Sequence, residues 1–229
     1  MSTRIVVAID GPAGAGKSTI ARRVAERLGF IYIDTGAMYR AVALWALRTN
    51  VDLADMHRLE QLAIAASIEL PPRSATVLLN GEDVTAAIRE PAISPAASKV
   101  SAVPGVRRAL VEKQRQMAAE NSVVMEGRDI GTVVFPDAKV KIFLDADAET
   151  RTERRLRDLR ERGATLAPEA VAQEVEERDQ RDRTRAESPL VQAPDAVYID
   201  STSLTIEQVE EFILKIVRDR TSNGKGLRL

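Results

Sequence analysis

A chain of 229 residues suits one globular domain with room for an inserted subdomain, and it is long enough to bury a sizeable core. Its 45% hydrophobic and 29% charged residues are those of an ordinary folded protein, and a net charge of -1 gives no reason to expect nucleic acid or a membrane surface as the principal partner. Zero cysteines exclude disulfides and thiolate chemistry, and the single His57, in the polar stretch ADMHRLEQ, excludes a histidine metal cluster.

The first apolar run, RIVVAID (4–10), is interrupted by Asp10 and lacks the cleavage pattern of a signal peptide, so it reads as a strand. After GPAGAGKS (11–18), the positions Ile20, Ala21, Val24, Ala25 and Leu28 form one helical stripe that Gly29 is placed to stop. FIYID (30–34) reads as a second strand. AVALWAL (41–47) falls far short of the ~18 apolar residues of a membrane helix, and a cytoplasmic protein is expected. Next comes an excursion, SIELPPRSATVLLNGEDV (67–84), whose β-branched residues and Asn80-Gly81 dipeptide predict a small β-rich insert. Pro104 opens a helix in which Val106, Leu110, Lys113 and Met117 share a face.

VVMEG (123–127), KVKIFLD (139–145) and AVYID (196–200) complete a set of five apolar runs. Most lack polar alternation, as strands buried on both faces do, which predicts an α/β fold with a parallel sheet and helical crossovers. Residues 151–185 carry ten arginines, nine acids and no lysine, and read as two helices with Gly163 and Pro168 bounding a hinge-like turn. The last helix has a Thr205–Gln208 capping box and an apolar face of Val209, Phe212, Ile213, Ile216 and Val217. TSNGKGLRL (221–229) reads as a loose tail.

Strand, GPAGAGKS and helix together satisfy the phosphate-loop pattern G-x-x-x-x-G-K-[ST]. The backbone from Gly11 through Pro12, Ala13, Gly14, Ala15 and Gly16 would wrap the phosphates of a nucleoside triphosphate. Lys17 adds charge near the β- and γ-phosphates, Ser18 offers a hydroxyl to Mg²⁺, and Thr19 follows on the helix. The loop does not identify the acceptor. No guanine-reading Asn-Lys-x-Asp segment is present and the chain is short for a motor, which leaves a small phosphotransferase.

Two further strand ends carry anion-binding groups: IDTGAMYR (33–40), with Thr35 as a candidate helix cap and Arg40 as a phosphate fork, and EGRD (126–129), with Arg128 and Asp129. A simple ion pair between these last two neighbours is the structural alternative. At ~100° per residue, Arg178, Arg181, Asp182 and Arg185 share a sector of roughly 100°, while Arg183 points elsewhere. Solvated i,i+4 pairing accounts for about half of the charges in this region.

The segments GPAGAGKST, YIDTGAMYRA, EGRDIGTVVFPDA, KIFLDA and RDQRDRTRAESPL resemble the bacterial cytidylate kinase family, from Arg4 to about Val217. The resemblance implies a P-loop fold with a five-stranded parallel sheet flanked by helices. Its core would be 1–40, 104–150 and 186–220, with a nucleotide-monophosphate region and β-rich insert at 41–103, a helical lid at 151–185 and a flexible tail at 221–229. The implied reaction is direct in-line transfer of the γ-phosphoryl group of MgATP to CMP or dCMP. Separately, the low aromatic content, 3%, gives no sign of a large sticky face, and a monomer is expected. Thr35, Tyr39, Arg40 and Arg128 would then hold the CMP phosphate and sugar, and Ser98, Arg107 and Asp129 would read cytosine. Uracil would present its O4 acceptor to Asp129 unfavourably.

On the lid, Arg181 and Arg185 would neutralise the migrating phosphoryl, Arg178 and Asp182 would contact CMP, and Arg154 would lie against adenine. Lys17, Arg128, Arg181 and Arg185 form the implied catalytic set, with Glu126 or Asp34 reaching the metal through water. A kinase for another small acceptor, or an ATP-binding regulatory module, are the alternatives that remain open at this stage.

Overall fold

The computed structural model describes residues 4–72, 74–161, 163 and 166–221. In chain order, β1 (Val6–Asp10), α1 (Lys17–Leu28) and β2 (Ile31–Asp34) come first, followed by α2 (Thr35–Arg48) and α3 (Met56–Ala65). Three two-residue strands follow: β3 (Ile68–Glu69), β4 (Leu78–Leu79) and β5 (Glu82–Asp83). Then come α4 (Ile93–Val100), α5 (Pro104–Met117) and β6 (Val123–Gly127). The chain ends with β7 (Val140–Asp145), α6 (Ala148–Glu161), α7 (Pro168–Thr184), β8 (Val197–Asp200) and α8 (Ile206–Thr221). Chain contacts divide it into two compact units, one formed by the residues up to Tyr32 with those from Glu120 onward, the other spanning Ile33–Ala119.

The first unit is organised by a five-stranded sheet in the order β2-β6-β1-β7-β8, with the expected apolar runs as its strands. β1 lies at its centre, parallel to both neighbours, with Asp10 in register with Gly127 on one side and Phe143 on the other. Val7, Ala8 and Ile9 are wholly buried, as a central strand covered on both faces requires. The chain leaves β1 where strand order reverses, the place at which open parallel sheets gather ligands.

Helix α1 buries Ile20, Ala21, Val24, Ala25 and Leu28, and Gly29, at φ 66°, returns its amide to Ala25 and Glu26 as a left-handed cap. At the start of α8, the Gln208 amide donates to Thr205 Oγ1 and the Thr205 amide to Gln208 Oε1, the reciprocal box expected there. The apolar face differs from expectation: Phe212 is 53% exposed, and the buried stripe is Val209, Glu210, Ile213, Leu214 and Val217. Its rotation has a visible cause. Glu210 accepts from Arg23 Nε at 2.5 Å and Arg27 Nη1 at 3.1 Å, which turns this edge of α8 onto α1.

In the second unit, β3, β4 and β5 form the antiparallel sheet that the insert predicted. Asn80 and Gly81, at φ 52° and 83°, make the two-residue turn joining β4 to β5; such turns require left-handed backbone at both positions. Its own apolar core includes Met38, Val42, Leu59, Val84, Ile88, Val100 and Leu110. Helix α5 is rotated from the expected face: Val106, Leu110, Val111 and Gln114 are buried, and Lys113 donates to the Ile64 carbonyl.

The arginine-rich stretch folds as α6 and α7 around Leu156, Leu159, Val171 and Val175. Gly163, at φ 77°, follows α6, and Pro168 opens α7. Of the predicted tail, Thr221 ends α8 and residues 222–229 lie outside the described residues. Glu210→Ala is expected to lower stability by about 1–2 kcal/mol, discounted because both arginines are partly exposed. Urea unfolding checks this, and an unchanged midpoint would contradict it.

Candidate functional site

The loop between β1 and α1 is shaped by close backbone approach. A Cβ on Gly11, at φ 153°, would lie 1.9 Å from the Leu144 carbonyl oxygen, and one on Gly14, at φ 76°, would lie 2.6 Å from that of Arg151. Neither position accommodates a side chain. The turn delivers Lys17 to the first residue of α1, where its Nζ donates to the Pro12 carbonyl at 2.7 Å. Lys17 is only 6% exposed. Burial, followed by the Arg128 charge, lowers its pKa to about 7 against the opposing pull of Glu126. Ser18 and Thr19 stand exposed on the same first turn.

The neighbouring strand β6 ends in a second set of charges. Glu126 is buried and accepts the Tyr32 hydroxyl at 2.6 Å. Arg128 does not simply pair with its neighbour Asp129: its Nε donates to Asp182 at 2.7 Å, while Asp129 faces Arg185 at 3.9 Å. Burial works against the Arg128 charge, but Asp182 outweighs it and raises the guanidinium pKa further. Asp182 is held below the usual carboxylate range because Arg128, Arg178 and Arg185 together overcome its desolvation.

Helical geometry places Arg178 and Asp182 as expected, with two differences. Helix α7 stops at Thr184, so Arg185 is extended backbone, its Nε donating to the Ser188 carbonyl at 2.6 Å. Arg181 turns outward, 42% exposed and 3.6 Å from Glu177. Arg154 reaches from α6 to Ser201, donating to its hydroxyl at 2.9 Å and its carbonyl at 2.8 Å.

The residues of the second unit form a set of their own. Asp34 rather than Thr35 caps α2, accepting from the Ala37 amide at 3.0 Å, and it receives Arg40 Nη2 at 2.8 Å. Burial raises the Asp34 pKa, but Arg40 overcomes this and keeps it ionised below the ordinary range. Arg40 Nε is buried with no hydrogen-bond acceptor among the described residues. Thr35 and Tyr39 are buried on the same helix, Ser98 is buried on α4, and Arg107 is buried on α5 with its guanidinium 5.4 Å from the Tyr39 ring centre.

Three buried charges escaped sequence reading. Asp10 looks in sequence like a polar end to an apolar strand, yet it accepts the amides of Ile130 at 2.8 Å and Gly131 at 2.7 Å and fixes the turn after Arg128-Asp129. Arg151 and Asp179 were hidden among charges read as solvated, and both are buried against the phosphate loop.

Desolvation raises the Asp10 pKa from 3.8 to about 6, so its protonated form adds stability below the lower value, and that contribution is lost as pH rises through the upper one. Asp10→Asn does not titrate; relative to it, the native chain is expected to lose on the order of 2–3 kcal/mol across that window. Urea unfolding of both proteins as a function of pH measures the difference, and parallel curves would contradict it.

The family model described as cytidylate kinase matches residues 7–219. The chain is 65% identical to a cytidylate kinase of Solibacter usitatus over 97% of its own length and 96% of the relative's. It is 53% identical to a cytidylate kinase of Pelotomaculum thermopropionicum, covering 96% of each. Among solved structures, a gluconokinase from Sinorhizobium meliloti matches with a TM-score of 0.50 at 13% identity over 96% of this chain and 97% of that one, a likeness of fold alone.

Proposed function

The chain belongs to the cytidylate kinase family, and on that footing we propose that it transfers the γ-phosphoryl group of ATP to CMP or dCMP, giving ADP and CDP or dCDP. The observation that carries the chemistry is Lys17, a buried cation whose pKa falls to about 7 beside Arg128. Two such cations are stabilised together when a polyanion lies between or beside them. A phosphate oxygen of CMP attacks the γ-phosphorus, the bond to the β,γ-bridging oxygen breaks, and ADP leaves with that electron pair. The attacking oxygen is already anionic near neutral pH, so the step needs no general base. His57 stands exposed on α3, bonded to Gln61.

Rate enhancement then comes from positioning and charge stabilisation. In the first unit, the loop from Gly11 to Thr19 receives the ATP phosphates, Arg154 the adenine, and Lys17, Arg128 and Arg185 the charge of the transferring group, whereas Arg181 faces Glu177. Arg178 and Asp182 contact CMP, Asp182 through the ribose hydroxyls. Ser98, Arg107 and Asp129 are the residues assigned to cytosine, which offers its N4 hydrogens and its O2 and N3 acceptors. Thr35, Tyr39 and Arg40 take the CMP phosphate and sugar; the buried Arg40 Nε is a donor suited to that phosphate.

Magnesium fits the oxygen donors present. Ser18 offers a hydroxyl on the first turn of α1, and Glu126 is a buried carboxylate whose charge is felt at Lys17. These two residues, the second through water, would hold the ion, which when bound neutralises charge on the β- and γ-phosphates. No helix of the described residues is long and apolar enough to cross a membrane. A monomer working in the cytoplasm completes the proposal.

Coupled assay of ADP formation with CMP, dCMP, UMP and AMP tests the acceptor. CMP and dCMP are expected to dominate, and ADP release indifferent to the acceptor would contradict the reading. Lys17→Met and Arg128→Ala are each expected to lower kcat by at least ~10²-fold, the loss of a transition-state contact worth ~3 kcal/mol. Near-normal kcat in both folded variants would overturn the assigned roles.

A further inference from the structure

The phosphate loop is gripped from outside at one residue, Ala13. Its amide donates to Asp179 Oδ1 at 3.2 Å, and its carbonyl accepts from Arg151 Nη1 at 3.1 Å. The same Nη1 bonds to the other Asp179 oxygen, so the two side chains close a ring around the Ala13 backbone. Arg151 is anchored in turn, its Nε donating to the Ala146 carbonyl at 3.0 Å, and its backbone packs where any side chain on Gly14 would sit.

Arg151 and Asp179 are 9% and 7% exposed. A buried ion pair is a weak source of net stability, since desolvation offsets most of its attraction; what it enforces is geometry. Here the geometry joins three elements. Arg151 stands on α6, Asp179 on α7 and Ala13 on the loop. Asp179 also lies one residue after Arg178 and less than a turn before Asp182, which Arg128 holds at 2.7 Å. Helix α7 is thereby tied to the loop at 179 and to the end of β6 at 182. Rotating or sliding the helix disturbs both attachments.

Neither residue has a part in the substrate contacts assigned above. We propose that Arg151 and Asp179 are positioning residues that act as one unit. They set the register between the phosphate loop and α7, and so the rate of phosphoryl transfer, without touching either nucleotide. The proposal rests on the kinase reading.

The test is a double-mutant cycle in the full chain: Asp179→Asn, Arg151→Gln and the pair, with Arg151→Lys as the conservative variant. kcat and the KM for CMP are measured with MgATP, normalised to the folded fraction from urea unfolding. Turnover of the native chain with CMP is the control that tests the kinase reading itself.

Each single variant is expected to lose roughly 10-fold or more in kcat, with the KM for CMP within about threefold, as a misplaced loop would give. The double variant is expected to be no slower than the worse single, because losing either side chain already opens the ring around Ala13. Arg151→Lys, which keeps the charge, is expected to recover part of kcat. Losses that multiply in the double variant, or kcat within threefold of native in both singles, would overturn the proposal. If the single variants do not fold, Arg151→Lys decides: reduced kcat at unchanged KM supports the unit, and native kcat refutes it.

Discussion

Much of this structure follows from placing a buried lysine beside a half-buried arginine at adjoining strand ends. β1 and β6 are parallel neighbours, so Lys17, reached by the loop from the first, and Arg128, at the end of the second, are brought close enough for the Arg128 charge to act on Lys17. Burial removes the water that would screen them. Lys17 is left with a backbone carbonyl, Pro12, as its acceptor at 2.7 Å. A polyanion relieves this arrangement, and a phosphate-transferring enzyme supplies one in each turnover.

The carboxylates around the cluster explain how it persists. Asp182 takes Arg128, Asp129 faces Arg185 and Asp179 takes Arg151, so each arginine is oriented by a partner. Asp10 plays a different part, holding the backbone after Asp129 through two amides rather than pairing with a cation. These acids contact the guanidinium nitrogens directly, so the arginines gathered at the strand ends are held by charged partners.

The parts of the fold that were legible in sequence were those written in local chemistry. Unbroken apolar runs gave the five parallel strands, Asn80-Gly81 gave its left-handed turn, Thr205 with Gln208 gave the start of α8, and the glycines of the loop gave its shape. Most of what escaped was set by partners distant in the chain, the rest by a choice between neighbouring residues. Phe212 fits an apolar period, but Glu210, drawn in by Arg23 and Arg27, decides which way α8 turns. Thr35 and Asp34 are both good capping residues, and only the fold shows that Asp34 takes the Ala37 amide.

The charged helices show the same limit more sharply. The sector of Arg178 and Asp182 could be read from a 100° step, whereas Asp179 is indistinguishable in sequence from its solvated neighbours and is buried where Ala13 and Arg151 meet it. Arg181 fits the wheel yet turns to Glu177.

The most direct measurement of the central claim is the titration of the Lys17 ammonium group by nitrogen-15 NMR, assigned against Lys17→Met, with and without MgATP. The account predicts a midpoint near 7 for the protein alone and a rise well above that when the triphosphate is bound. A midpoint at the ordinary lysine value of 10.5 in the protein alone, unmoved by nucleotide, would contradict it.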